Sequence, residues 1–400
     1  MKTIAILLLC SLLTLHCSLS AQQYGWTDIS ANMPAQGGFT DVQFIGDEGW
    51  ITGGKDQVFY TSDGGETFVV QDLPPLPGNE GITSSIFMRN NEEGYVVTYS
   101  GEINKTDNSG ATWYLLHDPG GVLNSVHCPP GSDTCYACGG NGTVYSFTNT
   151  SITDISPPSN ASNLQSICFP ENNSDGKVCG ETTIARYKNN TWSNLQFYDA
   201  TLFYNSIFFI TNKVGWACGI NGTIIHTIDG TYWLIQSTNV TEPLNDIFFL
   251  NSQEGWAVGT EVLLHTTDGG TAWTREAISL TAGKELRAIY FTSANNGYVV
   301  GNYTVLKYGE VTGIEDFKET FEFEISPNPI TDKMHITCTD FKTKGGTLEI
   351  LSIDGKELLK REIGQGNENL IIDLSNLEAG MYFCKLSMGN RCSSKKIIKQ

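Results

Sequence analysis

The chain has 400 residues, a formal net charge of −19 and 42 glycines. That length exceeds an ordinary single domain unless the fold is a barrel or a propeller, and 16 Tyr and 19 Phe among so many glycines point to β-structure rich in turns. Residues 22–312 hold 11 Lys and Arg against 29 Asp and Glu, so this region repels phosphate backbones and anionic lipid surfaces, which excludes nucleic acid as a partner.

The chain opens with MKTIAILLLCSLLTLHCSLSAQQ. One Lys precedes an apolar run of about a dozen residues, and small residues lead to Ala21. This predicts a secretory signal peptide over residues 1–21, too short to span a bilayer. The rival reading makes Cys17 a lipid-modified residue, but His16 before it is a poor match to the small residue such a site wants. No later segment reaches about 18 consecutive apolar residues, so no transmembrane segment is expected. Nine cysteines follow the leader: Cys128, Cys135, Cys138, Cys168, Cys179, Cys218, Cys338, Cys384 and Cys392. Export brings oxidising conditions, and an odd number leaves at least one outside any internal pairing.

Next comes a lone segment, YGWTDIS, and then a repeat. The repeat reads DVQFIGDEGWITGG, SIFMRNNEEGYVVT, SVHCPPGSDTCYACGG, SICFPENNSDGKVCGE, SIFFITNKVGWACGI, DIFFLNSQEGWAVGT and AIYFTSANNGYVVGN. Its anchors, Val42, Ile86, Val126, Ile167, Ile207, Ile247 and Ile289, recur every 40 to 44 residues. Such a period means a solenoid or a propeller. Each unit contains four short strands separated by polar or Gly turns and lacks helical periodicity, which selects an all-β, seven-bladed β-propeller over residues 22–312. The seventh unit stops after TVLKYG, one strand short. YGWTDIS matches TAWTREA of the sixth unit, with Trp26 in the place of Trp273. Trp26 to Ile29 is therefore expected to be the outer strand of the last blade, closing the ring and removing two sheet edges.

Between the third and fourth strands of four units lie TSDGGETF, TDNSGATW, TIDGTYW and TTDGGTAW. A carboxylate or amide can accept hydrogen bonds from N–H groups a few residues on, Gly permits a positive φ, and the aromatic residue packs back over the hairpin. Asp63, Asn108, Asp229 and Asp268, with Trp113, Trp233 and Trp273, are thus expected to be structural, because a catalytic acid is needed once and this residue recurs four times. The turn resembles the Asp-box, and with the GWAVG second strands it makes the propeller similar to the photosystem II assembly and stability factor family. That resemblance implies a binding scaffold without catalysis. A more distant resemblance, to sialidases and xyloglucan-cleaving hydrolases with Asp-boxes, keeps an enzyme open, since fold does not fix function.

A sialidase pocket needs several convergent arginines, yet this region has only Arg89, Arg186, Arg275 and Arg287. A glycosidase needs two carboxylates about 5 to 10 Å apart. Asp41, Asp246 and Glu285, which enter or precede first strands near the central channel, are the least implausible pair-formers, with a solvated loop acid as the plain alternative. CYAC, Cys135 to Cys138, has zinc-like spacing but no completing ligands, so neither metal nor cofactor is expected. Cys138, Cys179 and Cys218 occupy one equivalent position in adjacent blades, at sheet spacings of about 10 Å, too far to bridge. Cys128 with Cys135, and Cys168 with Cys179, are the candidate disulfides.

After a linker at 313–321 the texture changes. Residues 322–400 carry six or seven strand patterns in about 80 residues, the signature of a small Ig-like β-sandwich. Pro327, Asn328 and Pro329, the IDGKEL turn with Gly355, LEAGMY with Gly380 and Tyr382, and the closing Lys395 and Lys396 closely resemble the type A sorting domain of the Bacteroidetes type IX secretion system. The resemblance implies export through the periplasm, engagement of that machinery by 322–400, and a secreted or surface-anchored propeller. The partner of the propeller is expected to be a protein or a glycan, recognised at the channel mouth; a structural or adhesive role is the further alternative.

Overall fold

A computed structural model describes residues 24–310 apart from 36, 76–80, 158–161, 195–202, 277 and 279–282, and residues 323–400 apart from 339–341, 343–344, 353–356, 367–368 and 389–390. The expected leader, the linker and the turn at Gly355 lie outside the described residues. The chain divides into two compact units, 1–311 and 312–400.

The first unit is a ring of seven four-stranded antiparallel sheets. Blade 1 uses Phe39–Ile45, Glu48–Gly53, Gln57–Thr61 and Val69–Asp72, from the channel outward, and blades 2 to 6 repeat that order. Blade 7 is built from Leu286–Ser293, Asn296–Gly301, Thr304–Glu310 and, as its outer strand, Tyr24–Asp28. Trp26 lies opposite Tyr308 in that pairing. Its ring meets Phe291 edge-on at 5.8 Å and 87°, the same contact that Trp273 makes with Phe249 at 5.8 Å and 88°. The expected closure of the ring by the N-terminal segment is what the fold shows, with the strand starting two residues earlier than the sequence match indicated.

Blade-to-blade packing follows one rule. The second or third residue of each second strand reaches the residue two past the anchor on the next blade's inner strand. Trp216 stacks on Phe249 at 3.5 Å, Trp256 on Phe291 at 3.7 Å, Tyr298 on Phe44 at 3.5 Å and Tyr136 on Phe169 at 3.7 Å. Blade 4 has Lys177 in this position, with its ammonium 4.6 Å from the Phe209 ring centroid. The inner-strand ring lies flat on the glycine at or next to the start of its own blade's second strand. A Cβ built on Gly49, Gly176 or Gly255 would fall 2.1 to 2.4 Å from Phe44, Phe169 or Phe249.

Blade 3 replaces this Phe–Gly pair with Cys128 and Cys135, which form a disulfide across a Cα–Cα distance of 4.2 Å. Cys168 and Cys179 do not pair with each other, contrary to the sequence expectation. Cys168 lies opposite Lys177 and Cys179 opposite Ser166, so the thiols are diagonal neighbours rather than partners. Diagonal positions are about 7–8 Å apart, beyond what a disulfide spans. Cys138, Cys179 and Cys218 are all buried in blade packing and unbonded.

The second unit packs a three-stranded sheet, Glu324–Ser326, Lys333–Thr337 and Asn369–Asp373, on a four-stranded one, Glu357–Ile363, Gly346–Leu351, Gly380–Met388 and Arg391–Lys399. One core joins the sheets, with Met334, Ile336 and Ile372 from the first against Leu348, Ile350, Leu386 and Ile397 from the second. Asn328, between Pro327 and Pro329, covers the free edge of the last strand. Its amide donates to the Lys396 carbonyl at 3.0 Å and accepts from the Ile398 N–H at 2.9 Å. Tyr382 donates to the Glu378 carbonyl at 2.9 Å, Lys395 lies over the Phe323 ring at 5.4 Å, and Gly380 opens the long strand.

Candidate functional site

The central channel is built from three residues of each inner strand, the two before the anchor and the one after it. A β-bulge recurs at the residue two before the anchor in all seven blades: Thr40, Ser84, Asn124, Gln165, Asn205, Asn245 and Arg287. Bulges re-aim side chains, and five of these donate to a carbonyl of the next blade. Thr40 reaches Thr83 at 2.8 Å, Ser84 reaches Leu123 at 2.7 Å, Asn124 reaches Leu164 at 2.7 Å, Asn205 reaches Leu244 at 2.8 Å and Asn245 reaches Leu286 at 2.7 Å. The sequence shows only small polar residues here; their inter-blade role is visible only once the bulge is.

The next residue forms a second belt: Asp41, Ser85, Ser125, Ser166, Ser206, Asp246 and Ala288. Its oxygens accept the N–H of the following blade's anchor. Ser85, Ser125 and Ser166 take Val126, Ile167 and Ile207 at 3.4, 3.4 and 3.3 Å. Asp41 takes both the Ser85 hydroxyl at 2.8 Å and the Ile86 N–H at 3.0 Å. Asp246 accepts from the Ser206 hydroxyl at 2.7 Å and from the Ile289 N–H at 2.9 Å. Desolvation pushes the Asp41 carboxyl up to about 6 and that of Asp246 up to about 7, against the hydrogen bonds they accept; the Asp41 charge adds to the rise at Asp246.

These two belts, with Tyr99, Glu285 and Arg287, line a cavity of about 470 Å³ on the face where inner strands begin. Asp41, Asp246 and Glu285, the three acids of the sequence reading, thus meet in one cavity. Glu285 is held by Arg287 at 3.1 Å and by the Asn302 amide at 2.9 Å. Deeper, the residue after the anchor makes most of the wall apolar, with Gln43 at that position in blade 1. Phe87, His127, Phe208, Phe248 and Tyr290 line a further 380 Å³, with ring centroids about 5 Å apart: 4.8 Å for Phe87–His127, 5.1 Å for Phe208–Phe248 and 5.2 Å for Phe248–Tyr290. Burial lowers the His127 imidazole to about 4, so it is neutral, and its Nδ1 accepts the Phe169 N–H at 3.3 Å. Around the mouth Ile82, Tyr99, Val122, Phe203 and Tyr303 are exposed, Tyr303 at 57%.

The Asp-box turns sit on the opposite face, away from this mouth. In each, the leading Thr hydroxyl donates to the third residue and accepts a Gly N–H. Thr61 reaches Asp63 at 2.7 Å and takes Gly65 N at 3.0 Å; Thr266 reaches Asp268 at 2.9 Å and takes Gly270 N at 2.9 Å. Asp63 also accepts the Thr67 hydroxyl at 2.6 Å and its N–H at 2.9 Å, which holds the carboxyl down at about 2. Asn108 accepts the Thr112 N–H at 2.9 Å, and the shorter turn of blade 5 gives Asp229 the Thr231 and Tyr232 N–H groups, both at 2.8 Å. The residue after the Asp or Asn then receives the previous blade. Trp50 donates to Ser109 O at 2.9 Å, Trp216 to Gly269 O at 3.2 Å, and the Tyr298 hydroxyl to Gly64 O at 3.0 Å. Gln71 and Gln236 clip the same junctions, donating to Ser109 O and Gly269 O and accepting from the Trp113 and Trp273 indoles. Each turn locks its own hairpin, and those of blades 1, 2 and 6 also lock the seam to the preceding blade. Among the described residues, no group of three or more His, Cys, Asp or Glu is placed to hold a metal ion, and no helix is long and apolar enough to cross a membrane.

Fold and turns together define a seven-bladed propeller of the Asp-box kind with a small sandwich appended. The sequence profile of the photosynthesis system II assembly factor YCF48 family matches residues 21–129 and 184–282, and the chain belongs to that family. The unmatched stretch between them holds most of blades 3 and 4, which have no Asp-box. Residues 324–400 match the secretion system C-terminal sorting domain, which implies a Bacteroidetes protein exported by type IX secretion to the cell surface or beyond. The structure of YCF48 from Cyanidioschyzon merolae superposes with a TM-score of 0.59 at 16% identity, covering 71% of this chain and 98% of that one. YCF48 bound to a D1 peptide gives 0.59 at 18%, with 71% and 96% covered. A streptogramin B lyase gives 0.59 at 14%, with 72% and 97% covered. Identities this low speak for the fold alone. No curated protein matches the chain in sequence.

Proposed function

We propose that the exported propeller is a non-catalytic recognition scaffold that binds a segment of another protein at the channel mouth. The observation that carries this reading is the mouth itself: Tyr99 lines a cavity walled by amides, hydroxyls, three carboxylates and the Arg287 guanidinium, and further exposed apolar side chains, Phe203 and Tyr303 among them, stand on the same face. Such a surface grips side chains by burial and backbone by hydrogen bonds. That one YCF48 structure holds a peptide supports a peptide ligand here by analogy. A literal photosynthetic role does not fit a chain carrying a sorting tail.

The channel carboxylates look at first like an acid pair. Their oxygens, however, are occupied by the backbone N–H groups of Ile86 and Ile289 and by serine hydroxyls. Serine does the same work at 85, 125 and 166. A catalytic acid must reach substrate with its proton, and these are turned into the wall. The amides of Asn124, Gln165, Asn205 and Asn245 beside Tyr99 would also suit a sugar, which keeps a glycan ligand as the second reading.

The test is capture from native surface extract with purified residues 22–400, bound protein and glycan being identified by mass spectrometry. A stoichiometric protein partner that is lost in a Tyr99→Ala, Tyr303→Ala double variant supports the proposal. Glycan enrichment without protein, or turnover of a glycan, overturns it. A partner retained at full affinity by the double variant removes the mouth from the reading.

A further inference from the structure

We propose that the outer edge of blade 5 is a self-association surface through which two copies of this chain pair, strand to strand, about a two-fold axis. Among the described large apolar residues, the four most exposed are neighbours on this edge: Ile228 at 73%, Tyr232 at 78%, Leu234 at 74% and Ile235 at 75%. They occupy the Asp-box turn of blade 5 and its outer strand, Leu234–Gln236.

The fold does not require them. The position of Ile228 is Ser62, Asp107 and Thr267 in the other three boxes, and that of Tyr232 is Thr67, Thr112 and Ala272. Those turns close with the same hydrogen bonds and present polar or small residues to water. Blade 5 keeps the turn and exposes an Ile and a Tyr in place of them. A contiguous apolar patch of this kind on an exported protein marks a contact surface. Among the described residues the strand pairs along its backbone only with Ile224–Thr227, which leaves its other side as a sheet edge.

Charge identifies the occupant. The propeller carries 29 acidic against 11 basic residues, and two copies repel wherever that charge is spread. Residues 214–241 contain a single charged residue, Asp229, and its carboxylate is turned into its own loop toward the Thr231 and Tyr232 N–H groups. Two such patches can meet without burying a charge or opposing like charges. An antiparallel edge pairs with itself by a two-fold rotation, an isologous contact that closes at a dimer. Leu234 and Ile235 point to opposite faces of the strand, so each face of the joined sheet gains an apolar cross-strand contact.

The experiment is analytical ultracentrifugation of purified residues 22–400 from low to high micromolar concentration. The expected result is a reversible shift from monomer to dimer mass. Leu234→Lys and Ile235→Lys, both at exposed positions, should abolish the shift while leaving the thermal melt of the dilute protein unchanged. Val70→Lys, at the equivalent place on blade 1, should leave it intact. A monomer at every concentration overturns the proposal, as does a dimer that survives both blade 5 substitutions.

Discussion

Asp246 does with a carboxylate what serine does elsewhere in the same belt. Ser166 accepts the next blade's anchor N–H at 3.3 Å without a charge to desolvate; Asp246 accepts at 2.9 Å with one. The two aspartates flank Ala288, the one belt position with no side-chain oxygen. Beyond it, Val42 N–H is left to bond its own Asp41 at 2.8 Å. The consequence is a definite pH dependence. A carboxyl whose folded value is raised, here to about 7 from an ordinary 3.8, binds its proton more tightly in the folded state than in the unfolded. Its contribution to stability is therefore fully present below about pH 4 and is lost as pH rises through 7. Asp246→Ser removes that loss and keeps an acceptor for Ile289. The variant should melt about 2–4 °C above the parent at pH 8, with the difference shrinking towards pH 5. Differential scanning calorimetry at both pH values decides it, and a difference that grows on acidification would falsify the desolvation account.

At the scale of the element, blade 3 shows how one pair of positions can be filled in two ways. Six blades set a large side chain, Phe or Met, on a glycine across the first hairpin; in blade 2 a Cβ on Gly94 would fall 2.1 Å from the Met88 sulfur. Cys128 and Cys135 put a covalent bond at the same place. A loop this short gives a stabilisation of about 2–3 kcal/mol in the chain-entropy picture. Cys128→Ser with Cys135→Ser should lose that amount in urea unfolding, because two small residues leave the position underfilled. Cys128→Phe with Cys135→Gly should recover part of it by restoring the pair used in the other blades. Equal losses in the two double variants would show that the position needs the bond and not the packing.

This pair was legible in the sequence because both cysteines close one hairpin whose repeat alignment was clear. The Cys168–Cys179 pairing was misread because it depends on strand register: the hairpin sets Cys168 opposite Lys177 and Cys179 opposite Ser166, two rungs apart, and spacing in the sequence does not reveal which residues face each other. Trp113, Trp233 and Trp273 could be read as hairpin aromatics from spacing alone. The indoles of Trp50 and Trp216, which fasten one blade to the next blade's turn, could not, since their acceptors lie 59 and 53 residues away in sequence. Inter-blade contacts are set by the angle between sheets, which no local pattern encodes. The channel was legible as a place and not as a lining: Asp41, Asp246 and Glu285 could be assigned to it, but the donors and acceptors around them follow from bulge geometry.

For the whole molecule, the ring is only as strong as its last seam. Every other blade is one continuous stretch of chain, whereas blade 7 unites residues 24–28 with residues 286–310. The seam is held by five residue pairs from Tyr24 opposite Glu310 to Asp28 opposite Leu306. It is extended by the Ile29 N–H to Val305 O at 2.9 Å and the Val305 N–H to Ser30 Oγ at 2.8 Å. Trp26 adds an aromatic face to the core of Phe291, Leu306 and Trp256. Removing 22–30 therefore does more than delete a strand. It bares the long edge Thr304–Glu310, uncovers Phe291, and leaves blade 7 with three strands in a structure whose other blades each have four. An exposed edge of that length invites pairing between copies. The deletion should lower the melting temperature far more than Trp26→Ala, whose cost is about 2–3 kcal/mol for a partly buried aromatic. It should also bring aggregation that grows with concentration, whereas Trp26→Ala keeps the backbone ladder and stays dispersed. Thermal melts and light scattering of the two variants separate these outcomes. If the deletion melts where Trp26→Ala does, the indole alone holds the seam, and the ladder between the propeller's two ends contributes little to closing the ring.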